Sequence, residues 1–171
     1  MTPDETRGFR KHQLPASAPP VPDARRQRNE IDIRACATIH FSHEDPAHPV
    51  ELLFDGSTGS GATRWIGGRR DTTEELLLVF DEPKDIRRCS FEVEEHDSER
   101  TQEIRIEYSV DGGVSFRGGL IQEYTFSPAG ATYQYENIGV DWRAVSQLRL
   151  SIFPNKGGSG MATLTSLRLF S

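Results

Sequence analysis

Hydrophobic and polar positions alternate along most of the chain from Ile31 onward. Ile31, Ile33, Ala35, Ala37, Ile39 and Phe41 are separated by polar or charged residues, the period-two pattern of a half-buried strand. Residues 74–81, EELLLVFD, form a more continuous apolar run, which suits a central strand. Alternation returns at 87–95, where Cys89, Phe91 and Val93 share one face, and at 104–110 with Ile104, Ile106 and Tyr108. Further strand-like runs cover 120–126, 132–138, 148–153 and 161–170. Turn residues fall between them: Asp55-Gly56, Gly67-Gly68, Glu82-Pro83, Asp111-Gly112-Gly113, Pro128-Ala129-Gly130 and 155–158. Only 49–54 and 140–145 read as helical turns, with Asp141 as N-cap of the second. About eight strands with short connections predict an all-β protein, an antiparallel β-sandwich or barrel.

The start of the chain does not share this pattern. Five of its ten prolines lie in the first 22 residues, among Ala, Ser and charged residues with little to bury. Residues 1–30 therefore read as a flexible N-terminal arm, and 31–171 as one domain. The arm carries six Lys or Arg against four Asp or Glu, a net of +2, which leaves −8 on the other 141 residues of a chain at −6. A domain so acidic repels a phosphate backbone, so no nucleic-acid binding is expected of it. The longest apolar run, Leu76–Phe80, is far short of a membrane span. No secretory leader is legible, so the expected location is cytoplasmic, with Cys36 and Cys89 as free thiols by default.

Several pieces, taken in order, resemble the discoidin family, also called the coagulation factor 5/8 type C or galactose-binding-like domain. They are HPVELLFDG (48–56), TRW (63–65), ELLLVFDEPKDI, EIRIEYSVDGGVSF (103–116) and the closing ATLTSLRLF (162–170). The resemblance covers about 31–171. It implies a discoidin-like jelly-roll sandwich whose rim loops bind ligands, carbohydrate being the ligand class. It also implies a structural calcium at Asp55, with the Ser57 and Thr63 region contributing. That loop is longer and richer in glycine than the family pattern, and Ser166 and Arg168 stand where relatives place a calcium-binding Glu. No cofactor is required by any motif; the Asp55 loop permits calcium through hard oxygen ligands.

Two polar clusters are candidate ligand contacts. HFSHEDPAH contains His40, His43, Asp45 and His48. These can bond sugar hydroxyls, whereas zinc is disfavoured because a spacing of three on a strand places His40 and His43 on opposite faces. Arg64, Arg69 and Arg70 form the second cluster, in RWIGGRRD, read as a loop made mobile by its two glycines. Paired guanidinium forks bind carboxylates or phosphates, suiting an acidic sugar or a partner's acidic tail. Of the two tryptophans, Trp65 reads as core and Trp142 as the candidate exposed aromatic platform. The loops 111–117 and 154–160 are further candidates. No GxSxG, P-loop or Cys–His signature suggests an enzyme. The expectation is thus a non-catalytic module binding a glycan through rim loops. The alternative is an intracellular protein-interaction or scaffold domain of the same fold, with a protein partner and no sugar; a metal-dependent activity on His40, His43 and His48 ranks third.

Overall fold

The computed structural model describes Arg10–Lys11 and residues 28–171. The described residues form nine strands: β1 (Arg10–Lys11), β2 (Ala37–Phe41), β3 (Trp65–Arg70), β4 (Glu74–Glu94), β5 (Arg100–Ser109), β6 (Arg117–Phe126), β7 (Tyr133–Gly158), β8 (Met161–Leu164) and β9 (Ser166–Phe170). β4 and β7 are unusually long, and each serves two neighbourhoods. The first half of β4 pairs antiparallel with β2, Ala37 opposite Phe80, while its second half pairs with β9, Arg88 opposite Phe170. Between the halves the β4–β7 register shifts three times, from Val79 to Arg88, which is where Pro83 interrupts the ladder. β5 and β6 complete the order β1-β2-β4-β7-β5-β6, and β3 pairs with β8. The result is an antiparallel sandwich, as the alternation predicts.

The core follows the same parity. Leu76 and Leu78 of β4, Leu148, Leu150 and Ile152 of β7, and Ile104 of β5 have no exposed surface. Cys89, Phe91, Val93 and Leu169 approach them from the β4–β9 side in one contiguous cluster that also holds Trp65. Neither cysteine is in a disulfide, and burial pushes the Cys89 thiol up to about 12, leaving it inert. Trp65 is core, as expected.

Three local expectations are corrected. The strand anticipated from Ile31 begins only at Ala37, because Asp32 accepts the Ala35 N–H (3.3 Å) and caps a single helical turn, Ile33–Cys36. The helical turn expected at 140–145 is instead strand: Ile86 pairs with Trp142 and Lys84 with Val145. Asp141 caps nothing there; it pairs with Arg87 and Arg143, and Asp85 accepts the Ala144 N–H (2.9 Å) at a left-handed φ of 52°. The supposed mobile loop at 65–70 is strand β3. Its Gly67 is needed for close packing, since a Cβ there would stand 2.7 Å from the Glu74 Cγ. The 3₁₀ turn at Val50–Phe54 matches the helical turn expected at 49–54.

Of the N-terminal arm, Arg10–Lys11 pairs parallel with the edge of β2, Arg10 opposite Thr38. The remainder of the arm, 1–9 and 12–27, lies outside the described residues. Its last residues belong to the folded unit: Glu30 bridges to Phe170 and takes a bidentate pair from the Arg168 guanidinium (2.9 and 2.6 Å).

Candidate functional site: a polar cleft at one rim

Strand pairing brings four distant segments to one end of the sandwich. Arg70, at the end of β3, lies opposite Met161 at the start of β8. Arg100, at the start of β5, lies opposite Gly158 at the end of β7. The loop at 45–48 is laced onto β3, with the Asp45 N–H donating to the Ile66 carbonyl (2.9 Å) and the Ile66 N–H to that of His48 (3.2 Å). Between these segments and the 94–98 loop opens a cleft of about 250 Å³, whose lining includes His48, Arg64, Arg70, Glu95, Asp97 and Ser98 around Ile66 and Met161.

Beneath the cleft a fully buried arginine holds two of its loops. Arg100 Nε donates to Glu95 Oε2 (2.7 Å), and its Nη1 donates to Gln102 Oε1 (3.0 Å) and the Pro154 carbonyl (2.9 Å). A buried guanidinium is tolerable only with such partners. Gly160 lies directly over it: a Cβ there would fall 2.4 Å from the Arg100 Cδ. The 159–160 turn is tied to β3 by Asp71, which adopts φ 53° and accepts the Gly160 N–H and the Ser159 hydroxyl, both at 2.8 Å. Those bonds, the Gly160 N–H first, hold the Asp71 carboxyl below its ordinary value.

The carboxylates of the 94–95 loop are also internally satisfied. Glu94 accepts from the Ser60 hydroxyl (2.6 Å), the Gly61 N–H (2.9 Å) and His96 Nε2 (2.8 Å). Burial opposes its charge, but these donors outweigh that and keep its carboxyl below the usual range. Glu95 behaves alike: burial is overcome by the Asp97 N–H and by Arg100. By contrast, among the described residues Arg64 makes one bond, Nη1 to the Glu94 carbonyl (3.1 Å), and Arg70 one, Nη1 to the Ser159 hydroxyl (3.3 Å). Asp97 uses its backbone N–H on Glu95 (2.8 Å) and leaves its carboxylate facing solvent. The cleft therefore presents spare guanidinium donors together with carboxylate and hydroxyl acceptors.

The residues singled out from the sequence disperse. Arg64 and Arg70 line the cleft, whereas Arg69 is exposed outside it. Asp45 stands behind the cleft, accepting from the Ala47 N–H (2.8 Å) and His48 Nδ1 (3.3 Å). His43 turns to the buried Glu74 (Nδ1 to Oε2, 3.0 Å). His40 lies opposite Leu77 and lines a separate shallow trough on the sheet face with Phe116 and Arg149. The three histidines do not converge, and among the described residues no three His, Cys, Asp or Glu side chains are grouped to hold a metal ion.

Trp142 is no platform. It is 5% exposed, stacked on Tyr108 at 5.3 Å and 20°, with Gly119 leaving room for its ring. Strand pairing turns this residue inward although its neighbours Asp141 and Arg143 are exposed. The 111–117 hairpin lies at the other end of β5 from the cleft, while the 154–160 loop forms part of it.

Asp55, Ser57 and Thr63 do meet, but as a closed turn. The Ser57 N–H donates to Asp55 Oδ1 (2.8 Å) and the Thr63 hydroxyl to Oδ2 (2.6 Å). Both oxygens of Asp55 thus accept a hydrogen bond from within the turn. Sequence reasoning missed Glu94, Glu95, Asp97, Ser98 and Arg100. Their only signal was the density of charge in EEHDSER (94–100), which reads as a solvated turn.

No family model matches the chain, and no curated protein does. Solved structures do match its fold. The CBM32-3 module of a family 31 glycoside hydrolase from Clostridium perfringens superposes with a TM-score of 0.62 at 16% identity, over 84% of this chain and 95% of that one. The family 32 carbohydrate-binding module of C. perfringens NanJ, solved with galactose, gives 0.59 at 13% identity, over 84% and 98%. The CBM32 of AlyQ, solved with 4,5-unsaturated mannuronic acid, gives 0.53 at 17%, over 77% and 92%. These modules are discoidin-like, and the chain has their galactose-binding-like β-sandwich fold.

Proposed function

We propose that this chain is a non-catalytic carbohydrate-binding module that takes its ligand in the rim cleft. The observation that carries the reading is the cleft itself. Loops from four separate parts of the chain are locked by buried hydrogen bonds into a fixed wall, leaving His48, Arg64, Arg70, Asp97 and Ser98 lining an opening of about 250 Å³. Sugar hydroxyls need such a mixture of donors and acceptors held in place, because each must exchange a good bond to water for one to protein. The likeness in fold to modules solved with galactose and with an unsaturated mannuronic acid supports the same reading. The described lining of the cleft contains no Trp, Tyr or Phe ring to stack on a sugar face, so a single site binds weakly and mainly by hydrogen bonding.

A glycan-array screen of the full chain, followed by calorimetric titration of the hits, tests this. Specific hits weakened by Asp97→Ala or Ser98→Ala, with unchanged melting temperature, are expected. A blank array from a folded sample refutes it. Tryptophan fluorescence is not a usable readout, since Trp65 and Trp142 are both buried.

A further inference from the structure

The arginines of this acidic chain divide by whether they hold a carboxylate: among the described residues Arg34, Arg69 and Arg117 lie in no ion pair, and neither do the two that line the cleft. Arg100, Arg105, Arg143, Arg149 and Arg168 each hold a carboxylate within 3.4 Å. Arg64 and Arg70 hold none among the described residues: their recorded partners are a backbone carbonyl and a serine hydroxyl. Carboxylates are not scarce nearby. Glu94 and Glu95 lie in the same cleft, but their oxygens are taken by Ser60, Gly61, His96, Arg100 and the Asp97 N–H. Asp71 follows Arg70 directly, yet its two oxygens go to Ser159 and Gly160. Two guanidinium groups thus line the cleft with fork positions unspent, while the oxygens of the adjacent acids are engaged by other donors.

We propose that the rim cleft recognises a sugar carboxylate, with an acidic, uronate-type saccharide as its ligand class and Arg64 and Arg70 as the residues that set that specificity. The inference rests on the carbohydrate reading above and narrows it. A planar guanidinium matches a carboxylate in bidentate geometry, which a hydroxyl cannot equal. Asp97, which also lines the cleft, repels the ligand carboxylate and accepts hydroxyls, so the sugar is oriented with its acid toward the arginines. The chain's net charge of −6 opposes a long polyanion wrapping its surface. Recognition is accordingly local, of one acidic residue, and short oligosaccharides bind as well as polymers do.

The test is calorimetric titration of the full chain with galacturonate, mannuronate and glucuronate trisaccharides, each paired with its carboxyl-reduced neutral counterpart. At least one acidic member is expected to bind about tenfold or more tightly than its neutral partner. Arg70→Ala and Arg64→Ala should each weaken that binding by about 10- to 100-fold, the loss typical of a charge-assisted bond. Arg70→Lys, which keeps the charge and loses the fork, should recover part of it. Arg70 is exposed, so its variants are expected to melt with the parent. Equal affinity for an acidic sugar and its reduced form, or binding indifferent to both arginines, overturns the proposal. Neutral glycans bound in the cleft with every acidic sugar rejected also overturns it, while leaving the carbohydrate reading intact. A blank with all saccharides overturns both, and an acidic peptide binding through Arg70 in that case marks a protein-docking surface.

Discussion

Gly160→Ala is the substitution that most directly tests how the cleft is built. Gly160 is buried, its N–H bonds Asp71, and a methyl group added to it would lie 2.4 Å from the Arg100 Cδ and 2.6 Å from its Nε. An arginine end is usually flexible enough to move aside. This one is not, because its guanidinium is fixed at once to Glu95, Gln102 and the Pro154 carbonyl, with no exposed surface. Overpacking a dense site costs about 1–3 kcal/mol, and separating Arg100 from Glu95 approaches the roughly 3–5 kcal/mol of a broken buried pair. Partial relaxation leaves an expected loss of about 2–4 kcal/mol. For a domain of this size each kcal/mol moves the melting temperature by about 2–4 °C, so a drop of about 5–15 °C is expected by calorimetry, with a matching fall in the urea midpoint. Gly139→Ala is the control: nothing lies within 4 Å of its Cβ position, so no loss of stability is expected. A Gly160→Ala protein that melts within 1 °C of the parent would refute the argument that Arg100 is a fixed strut.

Two further predictions concern charge. The Glu94, Glu95 and Glu103 carboxyls are all lowered in the fold, burial being outweighed by their hydrogen-bonding and charged partners. Their stabilisation is present above the unfolded carboxylate value, about 4.3, and is lost as pH falls toward the depressed native values. Melting temperature should thus decline steeply below about pH 4.3, and Glu94→Gln should flatten that decline; a profile unchanged by Glu94→Gln would count against the hydrogen-bond cage around it. Calcium is expected to leave the melt unchanged relative to a chelator, because Asp55 is closed by Ser57 and Thr63. A bound ion at a hundredfold over its Kd would add about 2.7 kcal/mol, so a rise of several degrees would show that the loop reorganises into a cation site.

What was legible in the sequence, and what was not, divides along physical lines. Strand alternation declares itself wherever a side chain must choose between core and solvent, and so β5, β6 and the halves of β4 and β7 could be read directly. β3 could not, because Gly67 and Gly68 have no side chain to make that choice; Gly67 is buried over Glu74 while offering no apolar signal. Trp142 misled for the opposite reason. It sits among exposed polar residues, and only its pairing with Ile86 and the space left at Gly119 turn it inward.

Burial of charge is harder still to read. Arg100 and Glu95 belong to a charge-dense turn of the kind that is nearly always solvated, yet the pair carries the floor of the cleft. What distinguishes them is Gly160, sixty positions later, whose missing side chain opens the space that the guanidinium fills. The same holds for the cleft arginines. The sequence shows Arg64, Arg69 and Arg70 as one cluster, but strand β3 sends Arg69 away and leaves Arg70 beside Ser159. Whether an arginine here is surface charge or a ligand contact is decided by which carboxylates reach it, and that depends on the β3–β8 and β5–β7 registers. Local spacing records residue type; the spare valence of a site is a property of the register alone.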